Sequence, residues 1–302
     1  MDVENRSVTI TGASGYIGAF VAKTLSEAGF DVNLLLRPSS KLKYFVETLG
    51  VLKRWDCLNS DEMLLSLNAS RSNVIFHLAA SVENDNNESI ERLIEGNFAF
   101  GVHLLNAAIK SGCKYFINTG SYWQFDSAGH VKPISLYADL KQAFQSVLAT
   151  YGCRHGLSIM TLILYDVYGE YDLRGKIVDR IAKAAEKCES IELTQGYQIL
   201  DLVNIEDVIN SYLVAMDLLR KNTKNEYSCY FIRNERMTLR ELIDKYYHAT
   251  GKVINCKWGA KPYPENIIMD PFQGPILPGW VPKVKLEDWL IRVRNKDGFK
   301  KC

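Results

Sequence analysis

The sequence has no apolar run long enough to cross a bilayer, which takes about 18–20 residues. It also lacks an excess of one charge, since 36 Lys and Arg nearly balance 35 Asp and Glu for a formal net charge of +1. A near-neutral chain has no global field to attract nucleic acid or an anionic membrane. Internal repeats and low-complexity tracts are missing as well, while 47% of the residues are hydrophobic, as in ordinary globular proteins. We therefore predict a folded protein that binds neither nucleic acid nor membrane.

Cysteine occurs seven times, but no two cysteines have the Cys-x-x-Cys spacing of a zinc or redox site. The odd number and the wide spacing do not fit a disulfide framework either. The five histidines share no common spacing, so we predict no metal site. Reduced thiols are typical of the cytosol, and we expect a cytoplasmic protein.

Strand and helix patterns alternate through the first half of the chain. The predicted strands lie at 8–11, 31–36, 51–55, 73–78, 115–119 and 158–164, and the predicted helices at 16–28, 61–67, 89–111 and 135–151. Such alternation is typical of βαβ units. We therefore predict an α/β fold with a doubly wound parallel sheet, the Rossmann architecture.

The second half has a looser pattern, in which Tyr, Gly and Pro become frequent. The length of 302 residues allows about two domains. We predict a dinucleotide-binding domain over 1–165 plus about 199–220, where a helix pattern returns to the main sheet. The segments at about 166–198 and 221–302 are predicted to form a smaller, discontinuous C-terminal lobe that binds the substrate.

A glycine-rich turn follows the first predicted strand and leads directly into a helix. It consists of Gly12, Ala13, Ser14, Gly15, Tyr16, Ile17 and Gly18. In this context the first glycine allows a tight turn, the second lets the backbone approach a pyrophosphate, and the third packs the helix on the strand. The free N–H groups of the helix N-terminus favour anionic oxygens. Residues 12–18 are therefore predicted to bind a dinucleotide.

The end of the second predicted strand indicates which dinucleotide is bound. NAD sites usually place Asp or Glu about 20 residues after the glycines, where it bonds the ribose 2′-OH. Here Leu36 takes that place. The residues that can bond a 2′-phosphate instead are Arg37, Ser39, Ser40 and Lys41. We therefore predict NADP(H) in preference to NAD(H).

A Tyr-x-x-x-Lys pattern at Tyr137 and Lys141 opens the helix after the fifth strand. Residues four apart lie on one face of a helix, so both side chains can point at one site. An ammonium group favours the phenolate, so we expect Lys141 to lower the pKa of Tyr137. The preceding strand leads into Ser121, whose hydroxyl can bond a substrate carbonyl oxygen. The three residues predict proton transfer at a carbonyl group.

Several motifs recur together along the chain: TGASGYIG at 11–18, HLAA at 77–80, INTGS at 117–121, YADLK at 137–141, LYDVYG at 164–169 and LDLVNIEDV at 200–208. With them, the sequence resembles the extended branch of the short-chain dehydrogenase/reductase superfamily, the NAD-dependent epimerase/dehydratase family. The segments TGSYWQ, WGAKPY and LPGW are similar to the subgroup of nucleotide-sugar 4-ketoreductases that includes CDP-abequose synthase.

The resemblance implies a role for each catalytic candidate. Tyr137 exchanges a proton at the sugar O4, Ser121 polarises the carbonyl, and Lys141 also holds the nicotinamide ribose. A hydride passes between nicotinamide and C4. The further cofactor-binding residues that the resemblance implies are Asp56 at the adenine, Cys57, Leu78, Ala79, Ala80, Asn97, Thr119, Tyr137, Lys141 and Tyr165.

The departures from the family pattern narrow the reaction. Tyr122 and Trp123 stand where relatives that eliminate water carry an Asp–Glu pair, so a dehydratase is disfavoured. Leu200 stands where relatives carry a diphosphate-binding Arg. The predicted substrate-binding residues are Ser121, Tyr122, Trp123, Asp166 and, as substitutes for that Arg, Arg174, Lys176 and Lys261.

The sequence thus predicts NADPH-dependent reduction of the C4 ketone of a nucleotide-linked 4-keto-deoxyhexose, with a CDP-linked substrate favoured, in deoxysugar biosynthesis. The alternatives are a nucleotide-sugar C4 epimerase with tightly bound NAD(P), a small-molecule carbonyl reductase, and a non-catalytic NADP(H)-binding regulator. The resemblance also implies a homodimer formed through the helices at about 89–111 and 135–151.

Overall fold

A computed structural model describes residues 6–57, 59–82, 89–222 and 224–296 of the chain. The strands in this part are β1 (Ser7–Thr11), β2 (Asp31–Leu36), β3 (Lys53–Asp56), β4 (Val74–His77), β5 (Tyr115–Ser121), β6 (Ser158–Leu164), β7 (Asp166–Tyr168), β8 (Ser190–Glu192), β9 (Ile199–Asn204), β10 (Tyr227–Ile232), β11 (Glu235–Thr238) and β12 (Asn255–Lys257).

The α-helices are α1 (Tyr16–Glu27), α2 (Val46–Leu49), α3 (Ser60–Ser70), α4 (Ile90–Ile94), α5 (Phe100–Lys110), α6 (Leu136–Val147), α7 (Ile177–Glu186), α8 (Ile205–Lys221), α9 (Leu239–Thr250) and α10 (Leu286–Lys296). Short 3₁₀ turns span Tyr122–Gln124 and Cys153–His155, and π-helical turns span Glu95–Ala99 and Leu148–Gly152. Among the described helices, none combines the length and the apolar character that crossing a membrane requires.

Seven strands form the main sheet, in the order β3-β2-β1-β4-β5-β6-β10. Every described pairing within it is parallel. The strand order reverses between β1 and β4, which is the switch point where open α/β sheets bind ligands beyond the carboxyl ends of their strands. This topology confirms the predicted doubly wound parallel sheet.

Helices cover both faces of the main sheet, which explains why its central strands are continuously apolar. All seven residues of Ser158–Leu164 are buried. On one face α1 and α8 pack against the sheet, with Val21 and Tyr212 fully buried. On the other face α3, α5 and α6 form a second apolar layer that includes Leu104 and Phe144.

The helix predicted over 89–111 is interrupted near its middle. It begins as α4, passes through the π-helical turn and continues as α5. Within that turn, the side-chain amide of Asn97 donates to Leu93 O at 3.0 Å and to Ser81 O at 2.7 Å. A side chain that bonds both its own helix and a loop accounts for the irregular turn.

The smaller lobe contains the three-stranded sheet β11-β9-β7 and the two-stranded sheet β12-β8. Its core packs α7, α9 and α10 around Tyr168, Leu202 and Met237. Two segments depart from the predicted division. Ile199–Asn204, predicted in the dinucleotide-binding domain, pairs with β7 and β11 in the lobe. Tyr227–Ile232, predicted in the lobe, pairs with β6 in the main sheet. Its backbone covers an edge of β6 that would otherwise be unpaired. The division into two domains otherwise stays a prediction.

No disulfide joins any of the cysteines that the structure describes. Cys302 lies outside the described residues. The cytoplasmic location expected from reduced thiols stays a prediction.

Candidate active site

A cleft of about 560 Å³ opens beyond the carboxyl ends of β1, β2 and β4, at the switch point of the main sheet. The predicted cofactor residues that line it are Gly12, Ser14, Gly15, Arg37, Ser39, Ser40, Lys41, Leu78, Ala79 and Ala80. The cleft therefore lies where the sequence pattern predicts a dinucleotide.

The glycine turn at the floor of the cleft cannot carry a side chain at its first position. Gly12 has a φ of +75°, and a Cβ there would lie 2.5 Å from the carbonyl carbon of Leu78. The N–H of Gly15 donates to Gly12 O at 2.9 Å and closes the turn. Gly15 is also the N-cap of α1 and offers no side chain to cap the helix. The turn and the helix N-terminus together fit the pyrophosphate of a dinucleotide.

Four basic residues line the cleft, namely Arg37, Lys41, Lys43 and Arg92, and its described lining includes no carboxylate. The first three follow β2, whereas Arg92 belongs to α4. This lining fits an additional anionic group such as a 2′-phosphate. Lys43 and Arg92 were not predicted. Lys43 extends the basic segment that follows β2, residues 37–43, and could have been found from its charge and position. Nothing in the sequence places Arg92 of α4 beside that segment.

Arg54 on β3 hydrogen-bonds the backbone of the basic segment that follows β2. Its Nη2 donates to Ser40 O at 3.2 Å, and its Nε donates to Asp56 Oδ1 at 2.8 Å. Asp56, predicted at the adenine, thus forms an ion pair with Arg54 and does not line the cleft. Cys57 is buried, which raises the pKa of its thiol to about 11, and its N–H donates to Leu36 O at 2.9 Å.

The remaining residues of the glycine turn lie beneath the cleft. Ala13, Tyr16 and Gly18 are buried, and Ile17 is partly buried against the same core. The Tyr16 hydroxyl donates to Glu170 O at 2.8 Å, away from the cleft lining. These residues can therefore meet a pyrophosphate through their backbone and not through their side chains.

Asn97 supports the wall of the cleft instead of lining it. Its Oδ1 accepts the N–H of Ser81 at 3.1 Å, and its Nδ2 donates to Ser81 O. These bonds tie the segment after β4 to the π-helical turn. Because that segment carries Leu78, Ala79 and Ala80, Asn97 fixes the wall that they form.

Buried hydrogen bonds join the ends of β1, β4 and β5 behind the cleft. Thr11 Oγ1 lies 2.9 Å from His77 Nδ1 and accepts the N–H of Ala79 at 3.2 Å. Thr119 Oγ1 donates to His77 O at 2.9 Å and lies 2.7 Å from Tyr212 Oη. Burial lowers the pKa of His77 to about 3, so the ring is neutral. Thr119, predicted to contact the cofactor, belongs to this supporting network.

Ser121, Tyr137 and Lys141 come together where β5 ends and α6 begins. The side chains of Ser121 and Tyr137 are hydrogen-bonded, and Lys141 Nζ lies 5.9 Å from the centre of the Tyr137 ring. Lys141 Nζ also donates to Thr119 O at 3.0 Å. Ser121 Oγ accepts the N–H of Trp123 at 3.3 Å, which leaves the hydroxyl proton available to donate. The structure thus places the three predicted catalytic side chains in one site.

The pKa of Tyr137 corrects one prediction. Burial raises this pKa to about 12, although the hydrogen bond with Ser121 acts in the opposite direction. The expected net lowering was wrong, because burial is the largest effect on this pKa. Burial also lowers the pKa of Lys141 to about 8. At neutral pH the pair is therefore a phenol and an ammonium.

Aromatic side chains and a carboxyl group surround this site. Tyr122 stacks on Tyr165 with ring centres 5.0 Å apart, and its hydroxyl donates to Asp166 Oδ2 at 3.3 Å. Trp123 packs edge-on against Tyr137, with ring centres 6.0 Å apart. Tyr165, predicted near the nicotinamide, is buried in this stack and does not line the cleft.

Arg174, one of the residues predicted to replace the missing diphosphate ligand, is exposed but hydrogen-bonded to its own chain. Its guanidinium donates to both carboxylate oxygens of Asp172, at 2.8 and 2.7 Å, and to Val167 O at 2.9 Å. It also lies 4.4 Å from the centre of the Tyr16 ring. Only the Nη1 donors of Arg174 lie outside these bonds.

The two lysines offered for the same role lie in different places. Lys176 is exposed at the N-terminus of α7. Burial raises the pKa of Asp166, and the nearby charge of Lys176 acts in the opposite direction. Lys261 is exposed in the lobe, where its backbone N–H donates to Leu193 O at 3.1 Å. Of the two, only Lys176 is near the carboxyl group beside the site.

Comparisons with known proteins agree with this geometry. The model of the NAD dependent epimerase/dehydratase family matches residues 8–229. CDP-abequose synthase of Yersinia pseudotuberculosis is 32% identical over 216 residues, covering 70% of this chain and 74% of that protein. UDP-glucose 4-epimerase of Thermotoga maritima, solved with UDP-glucose, superposes with a TM-score of 0.78 at 24% identity, covering 94% and 96% of the two chains. The UDP-glucose 4-epimerase of Thermus thermophilus, solved with NAD, gives a TM-score of 0.74 at 21% identity over 94% and 96%.

The family match covers more than half of the chain, including the glycine turn and the Tyr-x-x-x-Lys pattern. The likeness to the two solved structures shows the same fold. The predicted family and the predicted enzyme class are confirmed. The chain belongs to the NAD dependent epimerase/dehydratase family of NAD(P)-dependent enzymes.

Proposed function

We propose that the protein is an NADPH-dependent reductase acting on the C4 ketone of a nucleotide-linked 4-keto-deoxyhexose, with a CDP-linked substrate favoured. The observation that carries this proposal is the convergence of Ser121, Tyr137 and Lys141 at the end of β5, in a fold whose switch point holds a cation-lined cleft. The similarity to CDP-abequose synthase supports the nucleotide-sugar substrate and the CDP moiety.

The residues of the cleft fit an NADP-type cofactor, which supplies a hydride when bound. The glycine turn and the N-terminus of α1 would hold its pyrophosphate. Arg37, Ser39, Ser40 and Lys41 would hold the 2′-phosphate, with Lys43 and Arg92 adding positive charge.

The protonation states favour the direction of reduction. A phenol with a pKa of about 12 is protonated at neutral pH, so Tyr137 is ready to donate a proton to the carbonyl oxygen. Ser121 can donate a second hydrogen bond to the same oxygen as negative charge develops on it. After Tyr137 gives up its proton, the nearby ammonium of Lys141 stabilises the phenolate.

A nucleotide-sugar C4 epimerase is the second candidate, favoured by the likeness to the two UDP-glucose 4-epimerases. It would use the same three side chains but regenerate its cofactor in each cycle. We favour the reductase because CDP-abequose synthase is 32% identical to this chain, whereas the two epimerases are 24% and 21% identical and share its fold.

A homodimer through the helices at 89–111 and 135–151 is part of the proposal. Partly exposed apolar side chains on these helices support it, including Ile94, which is 40% exposed, together with Phe98, Val102 and Leu140. Two copies that pair these faces would remove them from water.

A thermal-shift panel tests the proposed ligands. We expect NADPH to raise the unfolding midpoint more than NADH does, because only NADPH carries the 2′-phosphate that the cations can bond. We expect CDP, added with NADPH, to raise it further than UDP, dTDP or GDP do. A ligand at 100 times its Kd stabilises by about 2.7 kcal/mol, which is readily measured. Equal shifts from NADH and NADPH would contradict the cofactor assignment, and a response to UDP alone would favour the epimerase.

A further inference from the structure

The two hydroxyl groups of the candidate active site come from separate elements, so their alignment depends on how those elements are joined. Ser121 ends β5, whereas Tyr137 lies in the first turn of α6. A misplacement of about 1 Å in a catalytic arrangement can cost roughly 100-fold in rate. A side chain that bonds both elements would keep the two hydroxyls aligned.

Gln124 makes bonds of this kind. Its Oε1 accepts the backbone N–H of Ser121 at 2.8 Å. Its Nε2 donates to Gln142 Oε1 and to Gln145 Oε1, each at 2.8 Å. Gln142 directly follows Lys141 on α6, and Gln145 lies one helical turn beyond Lys141. We call Gln124, Gln142 and Gln145 the glutamine cluster.

The orientation of the Gln124 amide is set by its partners. A backbone N–H can only donate, so the amide oxygen of Gln124 must face Ser121. Both amide protons then point at α6. Gln124 is 0% exposed, so water has no access to replace these bonds. The glutamine cluster is therefore a directional connection between β5 and α6.

Capping of the short 3₁₀ turn does not account for all of these bonds. Ser121 and Gln124 form a capping box around Tyr122–Gln124, but that box uses only the amide oxygen of Gln124. The two bonds from Nε2 reach a different element. Gly120 also makes room for the amide, since a Cβ there would lie 2.9 Å from Gln124 Oε1.

We propose that Gln124 is a positioning residue that holds the Ser121 hydroxyl in register with Tyr137 by hydrogen-bonding β5 to α6. This inference rests on the proposed carbonyl reduction, in which both hydroxyls bond the same substrate oxygen. Gln142 and Gln145 serve as the acceptors on α6.

Two substitutions at Gln124 separate positioning from packing. Gln124→Met keeps the length of the side chain and removes all three hydrogen bonds. Gln124→Glu keeps an acceptor for the Ser121 N–H, and Gln142 can turn its amide to donate to the new carboxyl group. The matched control is Asn33→Leu, which removes an equally buried side-chain amide. Asn33 lies on β2, whereas Ser121 and Tyr137 lie on β5 and α6.

The experiment measures kcat, the KM for NADPH and the unfolding midpoint of the full chain, with a CDP-linked 4-keto-deoxyhexose as substrate. We expect Gln124→Met to lower kcat about 10- to 100-fold with the KM for NADPH unchanged. Gln124→Glu should recover most of that loss. Asn33→Leu should lower the unfolding midpoint and leave kcat unchanged. A wild-type kcat in Gln124→Met, or equal losses in both Gln124 variants, would overturn the proposal.

A substrate-independent measurement keeps this inference separable from the proposed function. If the wild-type chain reduces no nucleotide-linked ketone, the proposed function fails, and crystal structures of the NADPH-bound wild type and Gln124→Met then decide the positioning role. We expect the hydrogen bond between Ser121 and Tyr137 to be lost in the variant. An unchanged hydrogen bond would overturn the positioning role.

Discussion

Replacing Tyr137 with Phe should lower kcat about 100- to 10,000-fold, the usual contribution of a positioned acid or base. The change removes the phenolic proton that we assign to the substrate oxygen and keeps the ring, so the contact with Trp123 remains. The affinity for NADPH should be unchanged, since Tyr137 does not line the cleft. Steady-state NADPH oxidation gives kcat, and fluorescence titration gives the Kd of the cofactor.

The control for this variant is Tyr246→Phe, which removes the hydroxyl of a buried tyrosine in α9 of the smaller lobe. Its kcat should equal that of the wild type. If Tyr137→Phe turned over as fast as the wild type, Tyr137 could not be the proton donor. A parallel loss of NADPH affinity would instead indicate that the substitution damages the cleft.

Replacing Arg37 with Ala should raise the KM for NADPH about 10- to 100-fold and leave the KM for NADH unchanged. A hydrogen bond to a charged group contributes about 1.5–3 kcal/mol, which corresponds to that range. Arg37 lines the cleft, whereas Leu36 stands where an NAD-specific relative would place a carboxylate. Initial rates over a range of each cofactor provide the measurement.

Arg154→Ala is the matched control, because Arg154 is an exposed arginine outside the cleft lining. It should leave the KM for both cofactors unchanged. Equal effects of Arg37→Ala on NADPH and NADH would mean that Arg37 bonds a part that the two cofactors share. The preference for NADP(H) would then lose its physical basis.

The parts of the fold that sequence predicts well are those with local signals. The predicted strands at 31–36 and 158–164 match β2 and β6 residue for residue. Both are short β-rich runs with well-marked ends. The glycine turn could be predicted equally well from the sequence. A φ of +75° at Gly12 and the close approach of Leu78 require glycine there, so the turn leaves a signal in the sequence.

The parts that sequence could not predict depend on contacts between distant segments. The π-helical turn in the helix at 89–111 accompanies bonds from Asn97 to Ser81, which no helical periodicity encodes. Nothing in the sequence shows that folding pairs Arg174 with Asp172. Gln124 ends the segment TGSYWQ, but that resemblance assigns it no role, since its bonds to α6 form only when α6 packs beside β5.

The raised pKa of Tyr137 belongs to the same class of tertiary effects. A Tyr-x-x-x-Lys pattern shows that an ammonium is near the phenol, but it does not show how deeply the phenol is buried. In the folded chain burial is the larger effect, and it raises the pKa to about 12. The sequence pattern thus brought Ser121, Tyr137 and Lys141 into one candidate site, but it did not indicate the protonation balance between Tyr137 and Lys141.

The proposed reaction consumes NADPH to reduce a nucleotide-linked ketone. The most direct measurement is the fall in NADPH absorbance on adding a limiting amount of a CDP-linked 4-keto-deoxyhexose to the full-length protein. We predict stoichiometric loss of NADPH and conversion of the C4 ketone to an alcohol. Conversion of a nucleotide-linked sugar to its C4 epimer with no net loss of NADPH would contradict the reductase and identify an epimerase.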